Sequence, residues 1–176
     1  MHYNKAIVYD LTDDKVLYEL KDKEKAHVAS LTKILTTITA IESIDNLDDM
    51  VTYTENMKSL VRWDASVAGL SVGDKVSYRD LLYASILPSG ADATTALAIS
   101  TSGSISNFVK KMNERAKSLG MNNTHFIDCC GLTDSDDHYT TAKDVALMSR
   151  ELIEKYPEIF KYSTIWMESI THKTKA

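Results

Sequence analysis

The apolar positions begin as a short run of β-formers and then switch to helical spacing. Asn4 to Asp10 reads NKAIVYD, Leu11-Thr12-Asp13-Asp14 is a turn signal, and Lys15 to Leu20 reads KVLYEL. This pattern predicts a β-hairpin within residues 3–20. From Ser30 onward, Ile34, Leu35, Ile38 and Ile41 recur at helical spacing. Thr36, Thr37 and Thr39 are weak helix formers, so burial has to supply much of this helix's stability, as in a central buried helix. Residues 51–78 read as loop with short strands, with a turn at Ser71–Lys75 ahead of Val76-Ser77.

A helix is expected from about Tyr78 to Leu87. Pro88-Ser89-Gly90 breaks it, and another helix follows from Asp92 to Ser100. Ile105, Phe108, Val109, Met112, Ala116 and Leu119 form an amphipathic stripe that ends at Gly120, a C-cap signal. Asn122 to Leu132 reads as irregular or strand-like. Thr140 or Thr141 then caps a last helix with Ala142, Val145, Met148 and Leu152 on one face. Residues 29–165 are thus mainly helical. A lone hairpin is marginal in water, so the pattern implies further strands or a covering helix. The chain reads as part of a larger sheet-containing domain.

Composition narrows the class without identifying it. Apolar residues make up 44% of the 176 residues and charged residues 26%, as in globular chains that bury a core. The formal charge of -5 argues against a nucleic-acid footprint, which needs clustered Lys and Arg. No apolar run approaches the roughly 18 residues of a membrane span. Met1 to Asp10 lack a basic start and a long apolar stretch, so they do not read as a signal peptide. On this reading the protein is cytoplasmic, or its targeting segment has been removed. Cys129 and Cys130 are neighbours whose Cα atoms lie about 3.8 Å apart. That is below the roughly 4.4 Å minimum of ordinary disulfides, so two free thiols are expected.

Candidate chemistry starts at Ser30-Leu31-Thr32-Lys33, an S-x-x-K. On a helix, residues three apart share a face, so Lys33 can reach the Ser30 hydroxyl. Serine is a weak nucleophile that needs a base, and lysine serves only when neutral, which burial favours. Backbone N–H groups at a helix start are unpaired and can stabilise an oxyanion. Alone the motif is weak, since an N-cap serine followed by a surface lysine gives the same letters. Ser89, in the break between two helices, could share a proton with Ser30 or Lys33. It also reads as a plain turn residue, with Asp92 capping the next helix.

Other clusters are weaker. Asp134, Asp136, Asp137 and His138 could suggest a metal site, but the carboxylates lack calcium-loop spacing and read as solvated turn residues, so no metal is expected. His27, His125 and His172 have no partner visible in sequence. Trp63 and Trp166 read as packing or cleft-edge residues.

Four collinear blocks carry a resemblance across nearly the whole chain, from about Lys5 to Ile165. ASLTKILTTITAIE resembles the nucleophile helix of the low-molecular-weight penicillin-binding proteins, serine-type D-alanyl-D-alanine carboxypeptidases. SVGDKVSYRDLLYASILPSGADATTALA is similar to the segment that carries their second motif. FVKKMNERAKSLGMNNTHFIDCCGLTDSDDHYTTAKDVALMSREL resembles the region after it, and AIVYDLTDDKVLYEL resembles their first two strands.

The resemblance implies an α/β (α+β) fold of the β-lactamase/transpeptidase type. Residues 1–176 would form a single incomplete domain, with an N-terminal hairpin, a helical region and missing C-terminal sheet strands. It implies Ser30 as the acylated serine, Lys33 as general base and Ser89 as the serine of the S-x-N motif, with Gly90 and Ala91 at substrate-binding positions. It implies no cofactor, a peptidoglycan stem peptide as substrate, β-lactams as inhibitors and an extracytoplasmic location.

There are two departures. Ala91 stands where the motif usually has Asn, which predicts reduced or altered activity. The Lys-Thr-Gly motif is absent, and Lys173-Thr174-Lys175 does not replace it. Little turnover is therefore expected from these 176 residues alone, and a homodimer in which a second copy replaces the missing sheet is compatible with the pattern. A non-catalytic peptidoglycan- or penicillin-binding relative and a β-lactamase-like hydrolase stay open as alternatives.

Overall fold

The computed structural model describes residues 4–159. Trp166, His172 and Lys173-Thr174-Lys175, together with the end of the expected helical region, lie outside the described residues. Strands β1 (Ala6–Asp10) and β2 (Lys15–Leu20) form the expected antiparallel hairpin, with a register shift between Val8 and Tyr9. Asp10 shapes its turn by accepting the N–H groups of Thr12 and Asp13 at 2.9 and 3.2 Å. The cover comes from a helix. Helix α6 (Ala142–Lys155) packs on β1, and Arg150 bonds both Tyr9 Oη and Asp14. Val16, Leu17 and Tyr18 of β2 stay exposed.

Helix α1 spans Thr32–Ile41, two residues later than the periodicity suggests, because Ala29–Leu31 winds as a 3-10 turn. Ser30 therefore sits in this tighter turn and not at the α-helix start. Ala29 is held at φ +45°, and the Leu31 N–H bonds the Val28 carbonyl at 3.1 Å. As expected, α1 is buried, and its threonines are accommodated locally. Thr39 Oγ1 donates to the Leu35 carbonyl at 2.8 Å and Thr36 Oγ1 to the Cys129 carbonyl at 2.7 Å.

Strands β3 (Met50–Thr52) and β4 (Lys75–Ser77) form a second small antiparallel sheet. Between them lies helix α2 (Glu55–Ser59), in a stretch the sequence reads as loop; Thr54 caps it and Met57 is its buried anchor. Helices α3 (Tyr78–Ile86), α4 (Ala91–Ser102) and α5 (Ile105–Ser118) pack around α1. Helix α4 is buried from Ala91 to Ala98, and Ala93, Ala96 and Ala98 let its neighbours approach closely. Ser77, Ser104 and Thr141 cap α3, α5 and α6.

The cap of α4 differs from expectation. Gly90 holds that position, and Asp92 is buried in the first turn. Its carboxylate accepts the backbone N–H groups of Ala68, Gly69 and Leu70 at 2.8, 2.9 and 3.0 Å. Asp92 therefore moors the 66–70 loop to the helix, and Ala91 N–H to Ser66 O, 2.8 Å, adds a second tie.

Candidate active site

Ser30, Lys33 and Ser89 lie in the wall of one pocket of about 760 Å³ between α1, α3 and α6. Ile34, Ile86, Leu152 and Ile153 line the rest, so the polar groups face a largely apolar space. The Ser89 hydroxyl donates to Ser30 Oγ at 3.1 Å. Ser89 occupies the left-handed region, φ +57°, in the break between α3 and α4. Ser89 N–H bonds Ile86 O at 3.4 Å, and Gly90 N–H bonds Ala84 O at 3.0 Å. Gly90 is required there, because a Cβ would lie 2.6 Å from that Ala84 carbonyl.

Lys33 is only 7% exposed, and its Nζ donates to the Cys130 carbonyl at 2.9 Å. Burial pulls its pKa below the ordinary 10.5, against the opposing pull of the nearby Cys130, Cys129 and Asp128. The fold sets Ser30 and Lys33 three residues apart in one pocket wall and brings Ser89 to Ser30. The sequence offers no hint of Cys130, whose place in an irregular segment carries no period. Ala91 is buried and presents only a methyl group, so in this position no side-chain amide meets Lys33.

The segment behind the site is fixed tightly. Asp128 Oδ1 accepts the N–H groups of Cys130 and Gly131 at 2.6 and 2.5 Å. Gly131, φ +77°, leaves no room for a side chain, since a Cβ would fall 1.8 Å from the Ala29 carbonyl. His138 is buried behind Thr32. Its Nδ1 accepts the Ile127 N–H at 3.2 Å, which leaves Nε2–H to donate to Thr32 Oγ1 at 2.8 Å. Burial lowers the pKa of His138, so the neutral ring that this pattern needs is favoured.

The weaker candidates separate from the site. His27 pairs with Asp136 at 3.3 Å, and His125 Nδ1 bonds the Asp137 carbonyl at 2.7 Å. Trp63 is 95% exposed and packs into no core. Among the described residues no group of three His, Cys, Asp or Glu side chains is arranged to hold a metal. The hydroxyls of Thr37 and Ser85, in the pocket wall, are buried and find no partner among the described residues.

The sequence model of the D-alanyl-D-alanine carboxypeptidases, peptidase S11, matches residues 1–175. The chain belongs to the D-alanyl-D-alanine carboxypeptidase family. It is 35% identical over 173 residues to the D-alanyl-D-alanine carboxypeptidase DacF of Bacillus subtilis, covering 96% of this chain and 43% of that protein. It is 38% identical over 159 residues to DacC of Escherichia coli, covering 86% and 40%.

Among solved structures, the D-alanyl-D-alanine carboxypeptidase DacD from Francisella tularensis superimposes with a TM-score of 0.85 at 35% identity, over 93% of this chain and 40% of that one. Penicillin-binding protein 5 from Haemophilus influenzae gives 0.83 at 32%, over 90% and 47%. The fold is that of these penicillin-binding proteins, a mixed α/β architecture with small sheets. The chain spans about two fifths of the length of the curated carboxypeptidases it matches. Among the described residues no helix is long and apolar enough to cross a membrane.

Proposed function

We propose that this chain carries the acylating centre of a serine D-Ala-D-Ala carboxypeptidase that acts on peptidoglycan stem peptides outside the cytoplasm. Ser30 Oγ attacks the carbonyl of the penultimate D-Ala, and Lys33, in its neutral form, takes the hydroxyl proton. Ser89 relays a proton to the departing amine of the terminal D-Ala. Backbone N–H groups at the start of the Ser30 turn are the candidate oxyanion donors. Water then hydrolyses the acyl-enzyme. No cofactor takes part in any of these steps.

The observation that carries this reading is the contact between Ser89 and Ser30 at 3.1 Å, with a buried lysine one turn further along. β-Lactams, as mimics of the D-Ala-D-Ala unit, are expected to acylate the same serine. The test is peptide mass spectrometry after incubation with a labelled penicillin. An adduct on Ser30 is expected, and an adduct on another residue would reject the assignment.

Ala91 favours a second reading, a relative that binds peptidoglycan without cleaving it. An Ala91→Asn variant separates the two. Under the catalytic reading a chain that also carries the Lys-Thr-Gly strand already releases D-Ala with Ala91 in place, and the variant adds little to that release. A wild type with no release and a variant that gains it would identify a decayed site.

A further inference from the structure

The Cys130 backbone holds the proposed base, the Cys129 backbone holds Thr36 one turn further along, and the two thiols lie side by side. The Cys130 carbonyl accepts Lys33 Nζ at 2.9 Å, and the Cys129 carbonyl accepts Thr36 Oγ1 at 2.7 Å. Lys33 and Thr36 are three residues apart, on one face of α1. The two sulfurs are 3.9 Å apart and unbridged. We propose that this pair is an oxidation site at which a reversible Cys129–Cys130 disulfide withdraws the carbonyls that hold Lys33 and Thr36 and so switches the Ser30 centre off.

The geometry supplies the coupling. Cα atoms across a trans peptide are about 3.8 Å apart, short of the roughly 4.4 Å lower bound of ordinary disulfides. The sulfurs, 3.9 Å apart, must close to about 2.05 Å while that Cα separation stays fixed, so closing the bridge requires the peptide unit between the two cysteines to turn. That unit contains the Cys129 carbonyl bound to Thr36 and the Cys130 N–H bound to Asp128 at 2.6 Å. Turning it also redirects the next carbonyl, the one that holds Lys33. The rigid backing of Gly131 against Ala29 passes the change on to the turn that carries Ser30.

The two thiols are unequal, which sets the order of events. Cys129 is buried, and Cys130 is partly exposed. The hydrogen Cys129 shares with Cys130 lowers the Cys130 pKa, whereas the same contact and burial raise that of Cys129. Cys130, the more exposed thiol and the one whose pKa is lowered, is the one that reacts first. With hydrogen peroxide as oxidant, its sulfur attacks one peroxide oxygen as the O–O bond breaks, giving a sulfenic acid and one water. The Cys129 sulfur then attacks the sulfenyl sulfur, forming the S–S bond and releasing a second water. Two thiols are oxidised and one hydroperoxide is reduced. A dithiol such as dithiothreitol reverses the reaction by exchange.

The inference rests on the reading of Ser30 and Lys33 given above, and its test keeps the two apart. The protein is treated with hydrogen peroxide and then followed by intact mass, by amide hydrogen exchange of the peptide spanning residues 30–41, and by the rate of labelling with a fluorescent penicillin. The expected results are a loss of 2 Da, faster exchange in that peptide and labelling slowed at least tenfold, all restored by dithiothreitol. In Cys129→Ser and Cys130→Ser variants, the ratio of labelling rates with and without peroxide should stay near one. A gain of oxygen mass with no 2 Da loss, or a 2 Da loss that changes neither exchange nor labelling, overturns the switch. A 2 Da loss with faster exchange in a protein that penicillin never labels supports the switch and rejects the Ser30 reading instead.

Discussion

Ser89 donates its hydroxyl hydrogen to Ser30 Oγ across 3.1 Å, linking residues 59 positions apart. The donor position is reached because Ser89 sits at φ +57° in the break between α3 and α4. Removing this hydroxyl leaves the backbone path intact and takes away the proposed relay. Ser89→Ala is expected to lower D-Ala release by about 10²- to 10⁴-fold, the range of general acid–base catalysis. Its thermal midpoint should stay close to that of the wild type. Steady-state kinetics alongside thermal melting check this, and an unchanged rate would remove Ser89 from the mechanism.

As the proposed base, Lys33 is expected to set the pH dependence. Burial favours its neutral form, so its pKa in the fold lies below the ordinary 10.5. Acylation by penicillin is expected to rise with pH as Lys33 loses its proton, with a midpoint below that value. Stability should move in the same direction. Between the lowered pKa and 10.5 the unfolded chain binds more protons than the folded one, so stability increases with pH across that window. Lys33→Arg keeps a positive charge at all accessible pH values and should abolish both the activity and its pH profile. A wild-type midpoint at or above 10.5, measured by stopped-flow acylation, would contradict a neutral base at work near neutrality.

Much of this architecture is legible in the sequence because its helices carry long stripes and clear caps. The stripe from Ile105 to Leu119 and the Thr141 cap give α5 and α6 directly. Helix α2 was not legible, since five residues are too few to establish a period. The 3-10 turn at Ser30 was not legible either. It depends on Gly131, a hundred residues later, lying against the Ala29 carbonyl. The same holds for Lys33, whose partner is a backbone carbonyl in an irregular segment. Asp92 misled because the carboxylate of a plausible cap was recruited by a loop more than twenty residues upstream. The break at Pro88-Ser89-Gly90 made Ser89 a candidate partner of Ser30 or Lys33, and the collinear resemblance singled it out.

Asp92 is the mooring of the 66–70 loop. Its carboxylate accepts three loop N–H groups and the Ala93 N–H at 2.9 Å, all in a buried setting. Replacing Asp92 with Ala leaves those N–H donors unsatisfied, each at about 1–3 kcal/mol before relaxation or water entry. A net loss of about 2–4 kcal/mol is expected. Chemical denaturation measures it directly. A loss below about 0.5 kcal/mol would mean that water replaces the carboxylate and that the loop is held elsewhere.

Gly131 gives a sharper separation of site from fold. A methyl group at this position would fall 1.8 Å from the Ala29 carbonyl and 2.8 Å from Thr32 Oγ1, and the residue is at φ +77°. Neither neighbour is the end of a flexible chain: one is backbone, and the other is fixed by His138 at 2.8 Å. Relief therefore has to come from moving the 3-10 turn that carries Ser30. Gly131→Ala is expected to cost about 1–3 kcal/mol through backbone strain and to reduce Ser30 acylation by more than tenfold even at temperatures where the variant is fully folded. The comparison that decides it is the penicillin labelling rate of folded variant against wild type. Equal rates with a lowered melting temperature would show that the turn yields without displacing the nucleophile, and that the contact with Ala29 serves stability alone.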